Sequence, residues 1–300
     1  MDEHACRAGF VAVIGRPNTG KSTLVNALVE EKISIVTAKP QTTRHSILGI
    51  RTKTNSQIIF VDTPGLQASA RTLINRSMNR AATSSLADAD LILLVVEATG
   101  WCKADDVVLE RLAGARAPVV LVVNKLDLLK RRVDLLPVIE DYKARGSFAE
   151  VVPVSARKSK NLDRLLSVIE RFLPESEQLY PSDSKTDRSL EFRVGEVLRE
   201  KLLDSLRQEV PYGLAVEVLA LEERDELTLV DAIIWVDKES HRGIVIGKSG
   251  ERLKYMSTEA RLDLESIFAK RFYLKARVKV KENWSDNAAA LRQLGYEAPR

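Results

Sequence analysis

The chain has 300 residues, 45 % hydrophobic and 29 % charged, with a formal net charge of +4, a composition typical of a globular protein of about two domains. Its opening residues, MDEHACRAG, predict no signal peptide, and no apolar run is long enough for a membrane span. Cys6, Cys102 and three scattered histidines form neither a disulfide framework nor a zinc motif, so we expect a cytoplasmic protein with free thiols.

Strand-like and helix-like segments alternate over the first 173 residues. Apolar runs predict strands at 10–14, 46–52, 56–62, 91–96, 118–123 and 150–154. Periodic apolar positions predict helices at 21–30, 70–87, 103–113, 133–145 and 161–172. This alternation predicts an α/β domain, a mixed sheet with helices on both faces, whose ligand-binding loops lie at the carboxyl ends of the strands.

The first of these loops has the composition of a phosphate-binding loop. GRPNTGKS, residues 15–22, matches GxxxxGK[ST] and lies between a predicted strand and a predicted helix. Gly15 and Gly20 allow a tight turn that points backbone N–H groups at an anion. Lys21 adds a positive charge and Ser22 a hydroxyl that can bind Mg²⁺. The loop therefore predicts binding of a nucleoside triphosphate.

A second motif concerns the γ-phosphate. DTPG, residues 62–65, closes a predicted strand. Asp62 there can hold Mg²⁺ through water, and the N–H of Gly65 can contact the γ-phosphate. The same tetrapeptide is also a common turn, so it has functional meaning only together with the other motifs.

The base is identified by two further motifs. NKLD, residues 124–127, follows a buried strand, so the Asp127 carboxylate can accept the N1–H and N2–H₂ donors of guanine, which adenine lacks. Ser155 and Ala156 follow the last predicted strand and can add a backbone N–H toward the guanine oxygen. Together the motifs assign to GTP the residues Gly15, Arg16, Pro17, Asn18, Thr19, Gly20, Lys21, Ser22, Thr23, Asp62, Thr63, Pro64, Gly65, Leu66, Asn124, Lys125, Leu126, Asp127, Ser155 and Ala156.

The remainder of the chain has a different organisation. We predict a G domain over 1–173, a polar, proline-containing linker over 174–188, and a second domain over 189–300. Its predicted elements are a helix with an apolar face from Val194 to Val210, strands at 213–221 and 228–237, a short helix, a turn, a helix over 251–268 and a strand over 272–281. This α-β-β-α-α-β order predicts an α+β domain.

The turn in this second domain contains GKSG, residues 247–250, between two helices. A GxxG turn in this setting is the loop with which KH domains clamp about four nucleotides, although most isolated GxxG sequences are ordinary turns. Residues 238–281 hold 12 Lys/Arg against 5 Asp/Glu, which suggests a surface for a polyanion, although a solvated face would by itself explain about half of such basic blocks. The predicted RNA-binding residues are Arg242, Gly247, Lys248, Ser249, Gly250, Arg252 and Lys254.

Further residues of this domain allow two interpretations. Apolar Ile244, Val245, Ile246 and Leu253 belong either to the core beneath the turn or to a groove for bases. The basic side chains of 275–281 are expected to form a solvated sheet face rather than a direct RNA contact.

The motifs together resemble a known family. GRPNTGKS, KPQTTRH (39–45), DTPGL, NKLD and SAR (155–157) resemble bacterial GTPases of the translation-factor class. PQTTR and the α-β-β-α-α-β region resemble the Era family of ribosome-assembly GTPases, which end in a type II KH domain, and the likeness covers nearly the whole chain. The resemblance implies a monomeric GTP hydrolase that binds GTP, GDP and single-stranded RNA near the 3′ end of 16S rRNA. It further implies a role in assembly and maturation of the 30S subunit, with a coupling to cell growth.

Roles of individual residues also follow from the resemblance. Thr43, in preference to Thr42, would ligate Mg²⁺ and sense the γ-phosphate, and Asn18 would help to hold a K⁺ ion unless it only shapes the loop. Leu66 stands where Ras-type GTPases place the glutamine that orients the attacking water, so hydrolysis should be slow or use another device. The implied catalytic residues are Lys21, Thr43, Gly65 and Asn18, and the implied Mg²⁺ ligands are Ser22, Thr43 and Asp62.

Two other functions compete with ribosome assembly. The first is a membrane-associated signalling GTPase whose KH-like domain is a protein or lipid adaptor. Peripheral association with the inner face of the cell membrane is reported for the family, but the sequence has no lipidation motif. The second, a tRNA-modifying enzyme, shares the TTR sequence of 42–44 but requires a catalytic domain for which the rest of this chain has no room.

Overall fold

The computed structural model describes residues 6–66, 72–129, 131, 135–206 and 210–296. Within these, the chain forms two compact units. The first unit comprises 6–34, 43–66 and the described part of 78–187, and the second comprises 35–42, 72–77 and the described part of 188–296. Residues 70–71 and 133–134, with which two predicted helices begin, lie outside the described residues.

The first unit contains a six-stranded sheet in the order β2-β3-β1-β4-β5-β6. Only β2 runs antiparallel to its neighbour among these described strands. The elements from residue 7 to residue 172 are β1 (Arg7–Ile14), α1 (Lys21–Val29), β2 (Ile47–Lys53), β3 (Ser56–Asp62), α2 (Leu73–Ala87), β4 (Leu91–Glu97), α3 (Lys103–Leu112), β5 (Val119–Asn124), α4 (Leu135–Lys143), β6 (Glu150–Pro153) and α5 (Leu162–Phe172). The predicted mixed α/β sheet is confirmed.

Both faces of this sheet are buried. Ile92, Leu94 and Val96 of β4 pack in a core with residues of α2, α3 and α4. The alternate residues of β4 point to the opposite face and are also fully buried, as are those of β5. Burial on both faces explains why these strands are continuous apolar runs rather than alternating ones.

The segment predicted as a linker is hydrogen-bonded to β2 and β3 of this sheet. Gln57 of β3 is fully buried, and its Oε1 accepts the backbone N–H of Leu179 and of Tyr180 at 2.7 and 2.9 Å. The N–H of Ile50 in β2 donates to the carbonyl of Lys185 at 2.8 Å. Leu179, Tyr180 and Lys185 of this segment are therefore held by hydrogen bonds to the sheet, although the composition of the segment is that of a linker.

The second unit contains a three-stranded sheet in the order β7-β8-β9, in which β7 and β8 are antiparallel and β8 and β9 parallel. Its elements are α6 (Leu190–Ser205), β7 (Leu214–Glu223), β8 (Leu227–Val236), α7 (Glu239–Ile246), α8 (Glu251–Phe268), β9 (Arg271–Val280) and α9 (Ala288–Gln293). Apolar residues of α6 and α8 pack on β8 to form the core. The predicted α-β-β-α-α-β order is confirmed, and α9 is an addition that the apolar pattern did not indicate.

The predicted extent of the first helix of this unit was wrong. Helix α6 ends at Ser205, so Val210 is not on it, although that side chain is buried in the same core. The ammonium of Lys39 donates to the backbone carbonyls of Leu203 and Leu206 at the end of the helix. A cation that hydrogen-bonds the last carbonyls of a helix stabilises the helix terminus. Apolar periodicity could not distinguish this end from further helix because Leu206 and Val210, which continue the apolar pattern, are also buried.

Residues 35–42 belong to the second unit through polar contacts with α6. The buried Arg199 guanidinium pairs with Glu196 at 2.6 Å and donates to the backbone carbonyl of Thr42 at 2.5 Å. The Glu200 carboxylate accepts the N–H of Val36 at 2.8 Å. A buried charge of this kind is tolerated only when it is paired and hydrogen-bonded, and both conditions are met here.

The C-terminal segment is part of the fold of the second unit. Trp284 is fully buried, its indole N–H donates to the carbonyl of Gly213 at 3.0 Å, and its ring stacks on Tyr296 at 5.6 Å. The carboxylate of Asp286 accepts the backbone N–H of Leu73 at 2.7 Å.

Among the residues that the structure describes, no helix is both long and apolar enough to cross a membrane.

Candidate functional site

The GRPNTGKS loop turns between β1 and α1 with glycines where a side chain has no room. A Cβ on Gly15 would lie 2.4 Å from the carbonyl oxygen of Val95. Gly20 has φ +93°, and a Cβ there would lie 2.5 Å from the side-chain nitrogen of Asn124. Asn18 is exposed and also has positive φ, at 66°, which asparagine tolerates better than most residues. The loop is therefore shaped by its backbone, as the motif predicts.

Lys21 begins α1 and is almost completely buried. Its ammonium donates to the backbone carbonyl of Arg16 at 2.9 Å. Burial lowers the pKa of Lys21 to about 8, although the nearby charge of Asp62 acts in the opposite direction. The hydroxyl of the next residue, Ser22, lies 2.7 Å from that of Thr43. The loop lysine and the two predicted hydroxyl ligands are thus within one small region.

Asp62 at the end of β3 is fully buried. Neither of its carboxylate oxygens has a hydrogen-bond partner among the described residues. Burial raises the pKa of Asp62, and the nearby Ser22 and Ser34 hydroxyls, although outside hydrogen-bond geometry, and the charge of Lys21 counteract it only in part. A buried carboxylate without a hydrogen bond is costly unless a cation binds to it, and its proximity to Ser22 provides the oxygen ligands that Mg²⁺ prefers.

The residues after Asp62 pack directly on the phosphate-binding loop. Thr63 donates its hydroxyl to the carbonyl of Val13 at 2.8 Å, and the N–H of Leu66 donates to the carbonyl of Gly15 at 3.3 Å. A Cβ on Gly65 would lie 2.8 Å from the Cα of Pro17. DTPG is therefore more than a turn here. The Leu66 side chain is buried in the apolar core and offers no group that could orient water.

The NKLD and SAR loops join the phosphate-binding loop through the side chain of Asn124. Its nitrogen donates to the carbonyl of Thr19 at 2.9 Å, and its oxygen accepts the N–H of Ala156 at 3.0 Å. Asp127 is an exposed residue, and the Ser155 hydroxyl donates to its carboxylate at 2.5 Å. The carboxylate predicted to bind guanine is thus held in one orientation by a residue of the next loop.

Two acidic residues of this region were missed by sequence reasoning. Glu97 ends β4, and Asp105 lies in the first turn of α3 with only 1 % exposure. The guanidinium of Arg16 lies 3.2 Å from each carboxylate. Burial tends to raise the pKa of Glu97, but Lys125 and Arg16 outweigh it and hold that pKa below its ordinary value. The sequence signal that could have identified Glu97 was its position as an acidic residue at the carboxyl end of a buried strand.

In the second unit, the predicted RNA-binding residues lie together where α7 meets α8. Gly247 and Gly250 have φ +73° and +81°, which favours glycine at both positions. A Cβ on Gly247 would lie 2.7 Å from the Cβ of Arg252. The exposed basic residues of this group are Arg242, Lys248, Arg252 and Lys254, and Ser249 is exposed beside them.

The apolar residues at this turn divide between the two interpretations. Val245 is fully buried in the core, whereas Ile244 is 40 % exposed. Ile246 and Leu253 pack against the core but are only partly buried. The guanidinium of Arg252 donates to the carbonyl of Ile244 at 2.8 Å, which ties the end of α7 to α8.

Comparison with known families agrees with the division into two units. Residues 10–125 match the family described as 50S ribosome-binding GTPase, and residues 209–285 match the KH domain family.

Two relatives that match this chain over almost their full length are both GTPase Era. The chain is 47 % identical to GTPase Era of Coxiella burnetii (strain RSA 331 / Henzerling II) over 96 % of this chain and 98 % of that protein. It is also 47 % identical to GTPase Era of Xanthomonas oryzae pv. oryzae (strain MAFF 311018) over 97 % of each chain.

Two solved structures are similar over almost the full length. A crystal structure of Era in complex with MgGDPNP and nucleotides 1506–1542 of 16S ribosomal RNA has a TM-score of 0.94 at 37 % identity, covering 98 % of this chain and 100 % of that one. A variant of Aquifex aeolicus Era bound to GDP·AlF₄⁻ has the same TM-score and identity, covering 97 % and 100 %.

Replacing Asp127 by Asn tests the base assignment. The variant loses the acceptor for two guanine donors and presents a donor to the additional carbonyl of xanthine. We expect affinity for GTP to fall by about 2–4 kcal/mol while affinity for XTP rises. Titration of both nucleotides measures this, with Asp163→Asn on α5 as a control that should leave both affinities unchanged. Unaltered GTP binding by Asp127→Asn would refute the assignment.

The low pKa of Lys21 predicts a pH dependence of nucleotide binding. Phosphates stabilise the ammonium, so binding raises a pKa that is about 8 in the free protein. Below that pH the lysine is already charged, whereas above it binding must take up a proton, and affinity for GDP should fall as pH rises from 8 toward 9. Calorimetry at pH 8.5 in two buffers of different ionisation enthalpy should detect this proton uptake.

The variant Lys21→Arg is the control for that experiment, because a guanidinium stays charged over this range. Its residual pH dependence reports titration of all groups other than residue 21, including the nucleotide. Proton uptake by the native protein that is no greater than that of the variant would contradict the prediction.

Proposed function

Because the chain belongs to the Era family of GTPases, we propose that it couples a cycle of GTP binding and hydrolysis to binding of single-stranded RNA near the 3′ end of 16S rRNA. This activity would serve assembly and maturation of the 30S subunit in the cytoplasm. The observation that carries the proposal is the presence in one chain of two built sites. In the first unit, separate loops meet through the side chain of Asn124, and in the second, a GxxG turn lies among exposed basic residues.

In the proposed GTP site, the loop from Gly15 to Thr23 surrounds the phosphates with backbone N–H groups, and the Lys21 ammonium neutralises part of their charge. The fixed carboxylate of Asp127 selects guanine. Ser22, Thr43 and the buried Asp62 would hold Mg²⁺, an assignment supported by the carboxylate oxygens that lack a hydrogen-bond partner among the described residues. When bound, Mg²⁺ supplies positive charge at the β- and γ-phosphates. The N–H of Gly65 would contact the γ-phosphate.

Position 66 cannot supply a glutamine to orient the attacking water, since it holds a leucine that is buried in the core. We assign a compensating role to Asn18, which is exposed at the tip of the loop and whose side-chain oxygen can help to hold K⁺. The chemistry that K⁺ supplies is an additional positive charge where negative charge develops in the transition state. The residues fit this role because the backbone carbonyl of Asn18 is fixed by Lys125 at 2.6 Å, which limits the movement of the turn.

A comparison of salts tests the role of Asn18. At equal ionic strength and saturating Mg²⁺, GTP turnover should be about tenfold or more faster in K⁺ than in Na⁺. Asn18→Ala should lose this difference, whereas Asn18→Asp, which retains a side-chain oxygen, should keep part of it. Equal native rates in the two salts would leave Asn18 as a residue that only shapes the loop.

The proposed RNA site depends on close approach of a phosphate backbone to the turn at 247–250. Glycine at both ends removes the side chains that would block this approach, and Lys248 adds an exposed positive charge. The exposed Ile244 beside the turn is the apolar residue best placed to contact a base. Val245 is assigned to the core instead, because it is fully buried.

Variants at the turn distinguish charge from backbone shape. In the full chain, Gly247→Asp should abolish most binding of a single-stranded 16S 3′-end RNA, since it adds both a side chain and a repelling charge. Lys248→Ala should weaken binding to all sequences similarly and reduce the salt slope by roughly 0.7, the value for one phosphate contact. GDP affinity should be unchanged in both.

Lys275→Ala on β9 is the matched control, because this exposed lysine lies on the sheet face expected to be solvated. Circular dichroism should be used to check that Gly247→Asp is folded. Folded variants that bind RNA like the native protein would refute the assignment of the turn. Binding to anionic vesicles in place of RNA would instead favour a membrane adaptor.

A further inference from the structure

Glu97 contacts two of the loops that form the proposed nucleotide site. Its Oε1 accepts the ammonium of Lys125 at 2.6 Å, and its Oε2 lies 3.2 Å from the guanidinium of Arg16. Its backbone is fixed by pairing with Asn124 across β4 and β5 and by the Tyr142 hydroxyl, which donates to its carbonyl at 2.7 Å. Each carboxylate oxygen thus engages a different loop from a rigid strand.

Both partners of Glu97 make further contacts that connect it to the rest of the site. Lys125 donates to the backbone carbonyl of Asn18 at 2.6 Å, which links the NKLD loop to the tip of the phosphate-binding loop. Arg16 also pairs with the buried Asp105 at 3.2 Å, which holds the start of that loop against α3. The side chain of Glu97 is only 16 % exposed, so these contacts are shielded from solvent more than surface ion pairs are.

We propose that Glu97 is a positioning residue that sets the spacing between the phosphate-binding loop and the base-binding loop, and thereby slows release of the guanine nucleotide. This inference rests on the proposed function, since it requires a guanine nucleotide in this site. Glutamine cannot replace Glu97, because its amide has one acceptor oxygen and would direct N–H groups at a cation. Aspartate is one methylene shorter and cannot reach both partners from the same strand position.

The rate of GDP release tests the proposal. Dissociation of a fluorescent N-methylanthraniloyl GDP from the full chain with Mg²⁺ should be about tenfold faster in Glu97→Gln, as expected for one lost charge-assisted hydrogen bond. Glu97→Asp should also release it faster and carries the same test if Glu97→Gln does not fold. The matched control is Glu110→Gln, an exposed acid on α3, whose release rate should equal that of the native protein.

A double-mutant cycle separates positioning from general destabilisation. If Glu97 acts through Lys125, Glu97→Gln should accelerate release by only about threefold or less in a Lys125→Met background, because one of its two partners is already absent. Release by Glu97→Gln within twofold of the native rate, or full multiplication of the two effects, would overturn the proposal. A native protein that binds no GDP would refute the proposed function itself, which is a different result.

Discussion

Parallel pairing of β1, β3, β4 and β5 is the constraint on which the nucleotide site depends. Because these strands run in one direction, their carboxyl ends lie at one edge of the sheet. Gly15, Asp62, Glu97 and Asn124 are therefore neighbours in space although they are far apart in the chain. The loops that follow are joined to each other by hydrogen bonds and ion pairs, so the site is preorganised by polar contacts above an apolar core.

Those contacts leave buried charge that is only partly compensated. Lys21 has a pKa lowered by burial, and Asp62 has a carboxylate without a hydrogen bond among the described residues. Such charges cost folding free energy. A polyanion bound together with a divalent cation would compensate both, so the features that destabilise the free site are the ones that favour its proposed ligand.

The candidate site of the second unit is built differently. This site is an exposed turn in which positive φ angles permit close approach of another backbone, while the core beneath it is built from α6, α8 and the sheet. The unit also includes 35–42, which are distant in sequence but bonded to Arg199 and Glu200 of α6. Thr42 consequently belongs to one compact unit and Thr43 to the other.

The sequence by itself predicted the mixed α/β sheet of the first unit and the α-β-β-α-α-β order of the second, because apolar periodicity and glycine turns act through local geometry, and its motifs supplied the residues of both candidate sites. Only the tertiary structure decided where α6 ends, that the polar segment near Gln57 is held by the sheet, and that Val245 is buried while Ile244 is exposed. The same is true of Glu97 and Asp105, whose partners lie on other elements. Each of these features depends on which distant group satisfies a charge, a backbone carbonyl or an apolar surface, and local sequence does not contain that information.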